Sequence, residues 1–139
     1  MKLLASSTFR RVPAAVPTAR AFVSRTLVPL ALSVEASDRL VLAAAEAFNN
    51  VVLHASGESF AVTVAVERGT CMVSVADTGH GFRVPAARPA MPPAYETNHR
   101  GLALMYALVD KVDVISTARG TAVVLAQALP APAPASAVT

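Results

Sequence analysis

Strict alternation of apolar and polar positions marks the middle of the chain. Phe60, Val62, Val64 and Val66 fall on one side, with Ser59, Thr63 and Glu67 on the other. That is the period of a half-buried β-strand. Arg68-Gly69-Thr70 turns the chain, and Cys71 to Asp77 returns as a second strand, so the pair reads as a hairpin. Lys111 to Thr117 and Thr121 to Leu129 form another hairpin across Ala118-Arg119-Gly120. Elsewhere the period becomes helical. Ser37-Asp38 is expected to cap a long helix reaching about Ala55, since Ser is a good N-cap and Asp suits the positive first turn. Gly57 is expected to end that helix. Pro17 opens a shorter helix to about Leu27, and Gly101 to Val109 forms a third. Ser6 to Val12 reads as a short edge strand ended by Pro13. Residues 83–99 hold Pro85, Pro89, Pro92 and Pro93 with no periodicity. A loop of that length inside a compact domain points to function or disorder. The sum is an α+β fold, a two-layer sandwich with helices on one face of a mostly antiparallel sheet.

Composition narrows the picture. The chain has 139 residues, enough for one domain, and 54% are hydrophobic, which excludes disorder throughout. The apolar run from Val28 to Leu53 is interrupted by Ser33, Glu35, Asp38, Arg39, Glu46 and Asn50. It therefore falls short of the roughly 18 uninterrupted apolar residues of a membrane span. Net charge is +3 with the arginines scattered, so no direct nucleic-acid partner and no membrane partner are expected. One cysteine, Cys71, excludes an internal disulfide and suggests a reducing compartment, hence a cytoplasmic protein. His54, His80 and His99 are not at metal-ligand spacing.

The two ends read differently from the middle. Before Glu35 there is no acidic residue, while Lys2, Arg10, Arg11, Arg20 and Arg25 are present. That composition fits an organellar transit peptide, and it also fits folded structure containing the first helix. Residues 130–139, with three prolines, read as a disordered or extended tail.

Three places carry candidate chemistry. Glu46, Asn50 and His54 lie at i, i+4 and i+8 of an otherwise apolar helix, so they stack along one face. A solvated stripe is the ordinary reading, but a carboxylate and an amide set into an apolar helix need partners, which a bound cation or water would supply. Asp77-Thr78-Gly79-His80-Gly81-Phe82 ends a strand with an Asp able to accept from an exocyclic amine and glycines that admit a close ligand. By itself it is equally a tight turn. Arg100-Gly101-Leu102 begins a helix after the long loop, where free N–H groups and the macrodipole favour phosphate.

In that order the three resemble the GHKL (Bergerat) ATP-binding fold, and within it the RsbW/SpoIIAB-type anti-sigma factor serine kinases. Glu46 to Ala55 looks like the family's N box, Asp77 to Phe82 like its G1 box, and Arg100 to Met105 like its G2 region. Gly120-Thr121 matches the closing Gly-Thr, and Pro17 to Leu27 falls where the family has its first helix, which favours the folded reading of the N-terminus. The resemblance implies an N-terminal extension over 1–8, an ATP-binding domain over 9–129 with residues 83–99 as ATP lid, and the tail beyond.

The resemblance also implies roles. Glu46 would be the general base and Asn50 the Mg²⁺ ligand. Asp77 would accept from the adenine amino group, with Gly79 and Gly81 passing near base and sugar and Thr121 supporting the adenine end. Arg100, Gly101, Leu102 and His54 would complete the nucleotide site. ATP and Mg²⁺ are the implied cofactors, and a sigma factor and a STAS-domain anti-anti-sigma protein the implied partners, with homodimerisation possible. The implied activity is that of a protein serine/threonine kinase. An ATP-binding partner-switching module with little or no kinase activity is the alternative. Asn98-His99 stand where the family usually has glycines, which stiffens the hinge of the lid.

Overall fold

The computed structural model describes residues 1–77, 97–117 and 120–131, apart from the side chains of 97–100 and 116–117. Among the described residues, three α-helices lie on one face of a five-stranded sheet. The strands are β1 (Lys2–Arg10), β2 (Ser59–Glu67), β3 (Thr70–Asp77), β4 (Lys111–Thr117) and β5 (Gly120–Ala128), in the spatial order β1-β2-β3-β5-β4. Every neighbouring pair is antiparallel. The helices are α1 (Ala15–Leu27), α2 (Val34–His54) and α3 (Thr97–Leu108).

The alternation in the sequence is the alternation of the pleat. Phe60, Val62 and Val64 of β2, Cys71, Val73 and Val75 of β3, and Val123 and Leu125 of β5 are all buried against the helices. Their partners across the pleat are small and uncharged, among them Thr63, Ser74, Ala76 and Ala122. The β2–β3 hairpin closes on Arg68 and Gly69 at φ 49° and 74°. Two consecutive positive φ angles match the right-handed twist of the flanking strands, and a glycine at the second removes half of the steric cost. Helix α2 contributes Leu40, Ala43, Ala44, Ala47, Phe48 and Val51 to the core. Its alanines let α1, α3 and the sheet approach it closely.

Aromatic contacts tie the N-terminal strand to this core. Phe9 of β1 lies 5.8 Å from Phe22 of α1 and 5.7 Å from Phe60 of β2, and Phe60 lies 5.8 Å from Phe48 of α2. Ala19, Val23 and Leu27 of α1 are buried in the same cluster. The acid-free N-terminal stretch is thus folded structure.

Four elements start two or more residues away from the sequence expectation. Strand β1 begins at Lys2, not Ser6, and pairs with β2 along its length with one register shift between Leu3 and Ala5. Helix α1 begins two residues before Pro17, which is tolerated because first-turn N–H groups have no acceptor to lose. Helix α2 begins one turn before Ser37. Ser33, in extended conformation, is its cap and accepts from Ala36 N at 3.1 Å, and the added turn buries Ala36. Helix α3 begins at Thr97, one turn before Gly101.

The end of α2 departs most. No left-handed glycine closes it. Ala55 is extended at φ −75°, ψ 163°, and its N–H bonds Val51 O at 3.0 Å. The next carbonyl, Val52 O, accepts from Arg11 Nη1 at 2.7 Å, while Arg11 Nε donates to Gly57 O and Arg11 N donates to Glu58 O at 2.8 Å. A cation at a helix C-terminus satisfies both the orphan carbonyl and the dipole.

Candidate functional site

Only three buried polar or charged side chains occur among the described residues: Asn50 at 9% exposure, Asp77 at 6% and Thr121 at 1%. All three were singled out in the sequence. Burying a polar group costs free energy unless something pairs with it, so such groups are retained for a reason. In a core otherwise built of Ala, Val, Leu and Phe, their concentration at these positions is the strongest chemical signal of the molecule.

Two elements bring Asp77 and Thr121 together. Ala76 pairs with Ala122 across β3 and β5. Asp77 is the next residue along β3 and Thr121 the one before Ala122 on β5. Both continue the buried alternation of their strands, after Val75 and before Val123. They therefore face the helices from the same end of the sheet, with Asp77 also in register with Phe60 of β2.

A third and fourth element meet at Gly101. A Cβ built on Gly101 would stand 3.2 Å from Asn50 Oδ1, 3.4 Å from Asn50 Nδ2 and 3.3 Å from Glu46 Oε2. The backbone of α3 thus passes close to the carboxylate and the amide on successive turns of α2. Any larger residue at 101 would press on both groups. Glu46 is half-buried and Asn50 buried, so the pair sits at the rim and floor of the α2–α3 contact.

The Gly101 backbone was expected at a helix N-terminus. It lies instead in the second turn of α3, where its contact with Glu46 and Asn50 is the geometry that matters. Leu102 is buried at 7% exposure and packs into the core. His54 is exposed in the last turn of α2, one turn beyond Asn50. Arg100 belongs to α3, and its side chain lies outside the described residues, as do Gly79, Gly81 and residues 83–96 of the expected lid. The expected lid residues 97–99 form the first turn of α3. Arg11, whose hydrogen bonds hold the end of α2, was not singled out in the sequence. Its partners are 41 and 46 residues away, beyond the reach of any local pattern.

The donor set suits a hard cation that keeps waters and phosphate oxygens. An amide oxygen with a carboxylate one turn away supplies one or two protein ligands, as Mg²⁺ takes when it bridges phosphates. Among the described residues no three His, Cys, Asp or Glu side chains cluster as an all-protein metal cage. No helix among them is long and apolar enough to cross a membrane.

Comparison with known proteins agrees with this geometry. The family model of the histidine kinase-like ATPase domain matches residues 9–127. Among solved structures, the RsbU and RsbW domains of Rv1364c from Mycobacterium tuberculosis superpose with a TM-score of 0.68 at 23% identity, over 93% of this chain and 34% of that one. The histidine kinase domain of the blue-light activated kinase EL346 from Erythrobacter litoralis gives 0.55 at 19% identity, over 79% of this chain and 60% of that one. The histidine kinase AdeS of Acinetobacter baumannii gives 0.56 at 11% identity, over 91% and 68%. The chain spans about a third of the length of the first of these structures. No curated protein matches the sequence.

Proposed function

This chain belongs to the histidine kinase-like ATPase domain family, and from that premise we propose that it is an ATP- and Mg²⁺-dependent protein serine/threonine kinase acting as a cytoplasmic anti-sigma factor. Its phosphoacceptor would be a STAS-type anti-anti-sigma protein and its sequestered partner a sigma factor. The observation that carries the reading is the set Asn50, Asp77 and Thr121, the buried polar side chains among the described residues, with Glu46 and Asn50 held against Gly101. The RsbW domain in the Mycobacterium tuberculosis structure supports the choice of partner class.

Each residue then has a task. Asp77 accepts a hydrogen bond from the adenine amino group, with Thr121 beside it. A buried carboxylate there discriminates adenine from a base with an acceptor at that position, because a mismatch leaves the carboxylate facing a second acceptor. Asn50 would hold Mg²⁺, which would neutralise charge on the phosphates. Glu46 accepts the proton of the attacking serine or threonine hydroxyl as its oxygen bonds the γ-phosphorus and the bond to the ADP oxygen breaks. One helical turn separates Glu46 from Asn50, so base and metal ligand face the same side of the nucleotide.

A second reading is favoured by α3. Asn98 and His99 lie in its first turn, where the resemblance leads one to expect glycines. A hinge without glycine closes less readily on phosphate, which suits a nucleotide-binding module that holds its partner with little phosphoryl transfer. Transfer of labelled γ-phosphate to a STAS-domain protein separates the two. Tight ATP binding without transfer leaves the module, and absence of ATP binding removes both.

A further inference from the structure

We propose that Arg11 is a positioning residue for the Asn50 amide, acting through the C-terminal end of α2; the inference rests on the nucleotide-site reading above. Three hydrogen bonds run from this one residue to the end of α2 and the loop that follows. Its N–H bonds Glu58 O at 2.8 Å, Nε bonds Gly57 O, and Nη1 bonds Val52 O at 2.7 Å. The side-chain bonds are half-buried.

The need for such a brace follows from how α2 ends. A helix leaves its last four carbonyls without intrahelical partners. A left-handed glycine cap would return the chain and satisfy some of them, but Ala55 is extended and Gly57 comes one residue too late. Val51 O is taken by Ala55 N, and Val52 O is taken by Arg11. Without the guanidinium the last turn, Val51 to His54, has nothing to hold that carbonyl and frays.

Asn50 is the residue immediately before that turn. Its Oδ1 lies 3.2 Å from where a Cβ on Gly101 would stand, so α3 bounds the amide on that side. Its backbone is set by the helix that carries it. Glu46, a turn further from the end, is less exposed to fraying, and Asp77 and Thr121 are carried by the sheet rather than by α2. Loss of Arg11 is therefore expected to loosen the metal ligand before the adenine acceptor. The fork geometry matters, because two carbonyls, Gly57 O and Val52 O, are reached by two nitrogens of one planar group.

The experiment compares Arg11→Met and Arg11→Lys with the unsubstituted chain. ATP affinity is measured in excess Mg²⁺ and in EDTA, with circular dichroism to establish folding. Arg11→Met is expected to weaken Mg²⁺-dependent binding by about tenfold, the lower range for loss of a group that orients a metal ligand, and to change binding in EDTA by less than a quarter of that. Arg11→Lys, which keeps the charge and one donor, is expected to fall between. Equal losses with and without metal, or no loss, overturn the proposal. Arg11→Lys is read by the same criterion should Arg11→Met fail to fold. An unsubstituted chain that binds no ATP overturns the nucleotide reading and the brace with it.

Discussion

The missing side chain of Gly101 leaves room for the side-chain amide of Asn50: a Cβ at 101 would lie 3.2 Å from Asn50 Oδ1. The two residues are 51 positions apart and belong to α3 and α2. Their proximity makes one prediction whose two parts have opposite signs. Gly101→Ala raises helix propensity in the second turn of α3, worth up to about 1 kcal/mol. Its methyl also displaces Asn50 Oδ1 and Glu46 Oε2 by a few tenths of an ångström. Thermal unfolding is expected at an unchanged or higher temperature, while calorimetry shows Mg·ATP bound at least about tenfold more weakly, the scale of a disturbed metal ligand. Unchanged affinity would remove Gly101 from the site.

Glu46 and Asn50 should separate chemistry from binding. Glu46→Ala is expected to lower phosphoryl transfer by about 10²–10⁴-fold, the usual range for a general base, with ATP affinity retained. Asn50→Ala is expected to weaken ATP binding in Mg²⁺ and to leave binding in EDTA nearly unaltered. Single-turnover transfer and equilibrium dialysis read the two effects. Equal losses in both assays for Glu46→Ala would count against its role as base.

Asp77 should set the base preference. A hydrogen bond to a charged group contributes about 1.5–3 kcal/mol, so Asp77→Asn is expected to weaken ADP by about 10- to 100-fold. Adenosine competition should weaken in parallel, because the contact is to the base. If ADP affinity survives the substitution, adenine binds elsewhere.

Cys71 gives a pH dependence of stability. It is fully buried on β3, and burial pushes its thiol from an ordinary value of 9.0 up to about 11. Between those values the unfolded chain releases a proton that the folded chain keeps. Stability therefore falls as pH rises from 9.0 to about 11, by up to about 1.4 kcal/mol per pH unit from this group. Urea melts of the native protein and Cys71→Ala across that range test the sign, since the slope should be shallower in the variant. The folded protein should also resist alkylation at pH 8, because the thiolate is the reactive form.

Phe60 should be the costliest single core position. It is 1% exposed and meets both Phe9 and Phe48. Phe60→Ala removes a ring shared by β1, β2 and α2, and is expected to cost about 3–5 kcal/mol. Hydrogen exchange should show the β1 amides losing protection first, because Phe9 stacks on Phe60 and β1 is an edge strand with one neighbour.

Periodicity alone marked the elements, and polar residues in apolar surroundings singled out the candidate site. The period of two in Phe60 to Val66 and the helical period of the Leu40 stretch are properties of adjacent residues, so they are legible without the fold. Glu46, Asn50 and Asp77 stood out because polar groups are rare in their apolar surroundings, and their burial bears out that contrast for Asn50 and Asp77. Element ends were read less well. Ser37-Asp38 had the composition of a cap, but Ser33 one turn earlier does the capping and Ala36 is buried behind it. Tertiary burial decided between two adequate local solutions. Only the folded structure decided that Gly101 meets Asn50 inside a helix, and that Arg11 closes α2 in place of a glycine. Both contacts join residues more than forty positions apart. What pairs with a carbonyl or an amide across that distance is set by how the layers pack, which no local pattern encodes.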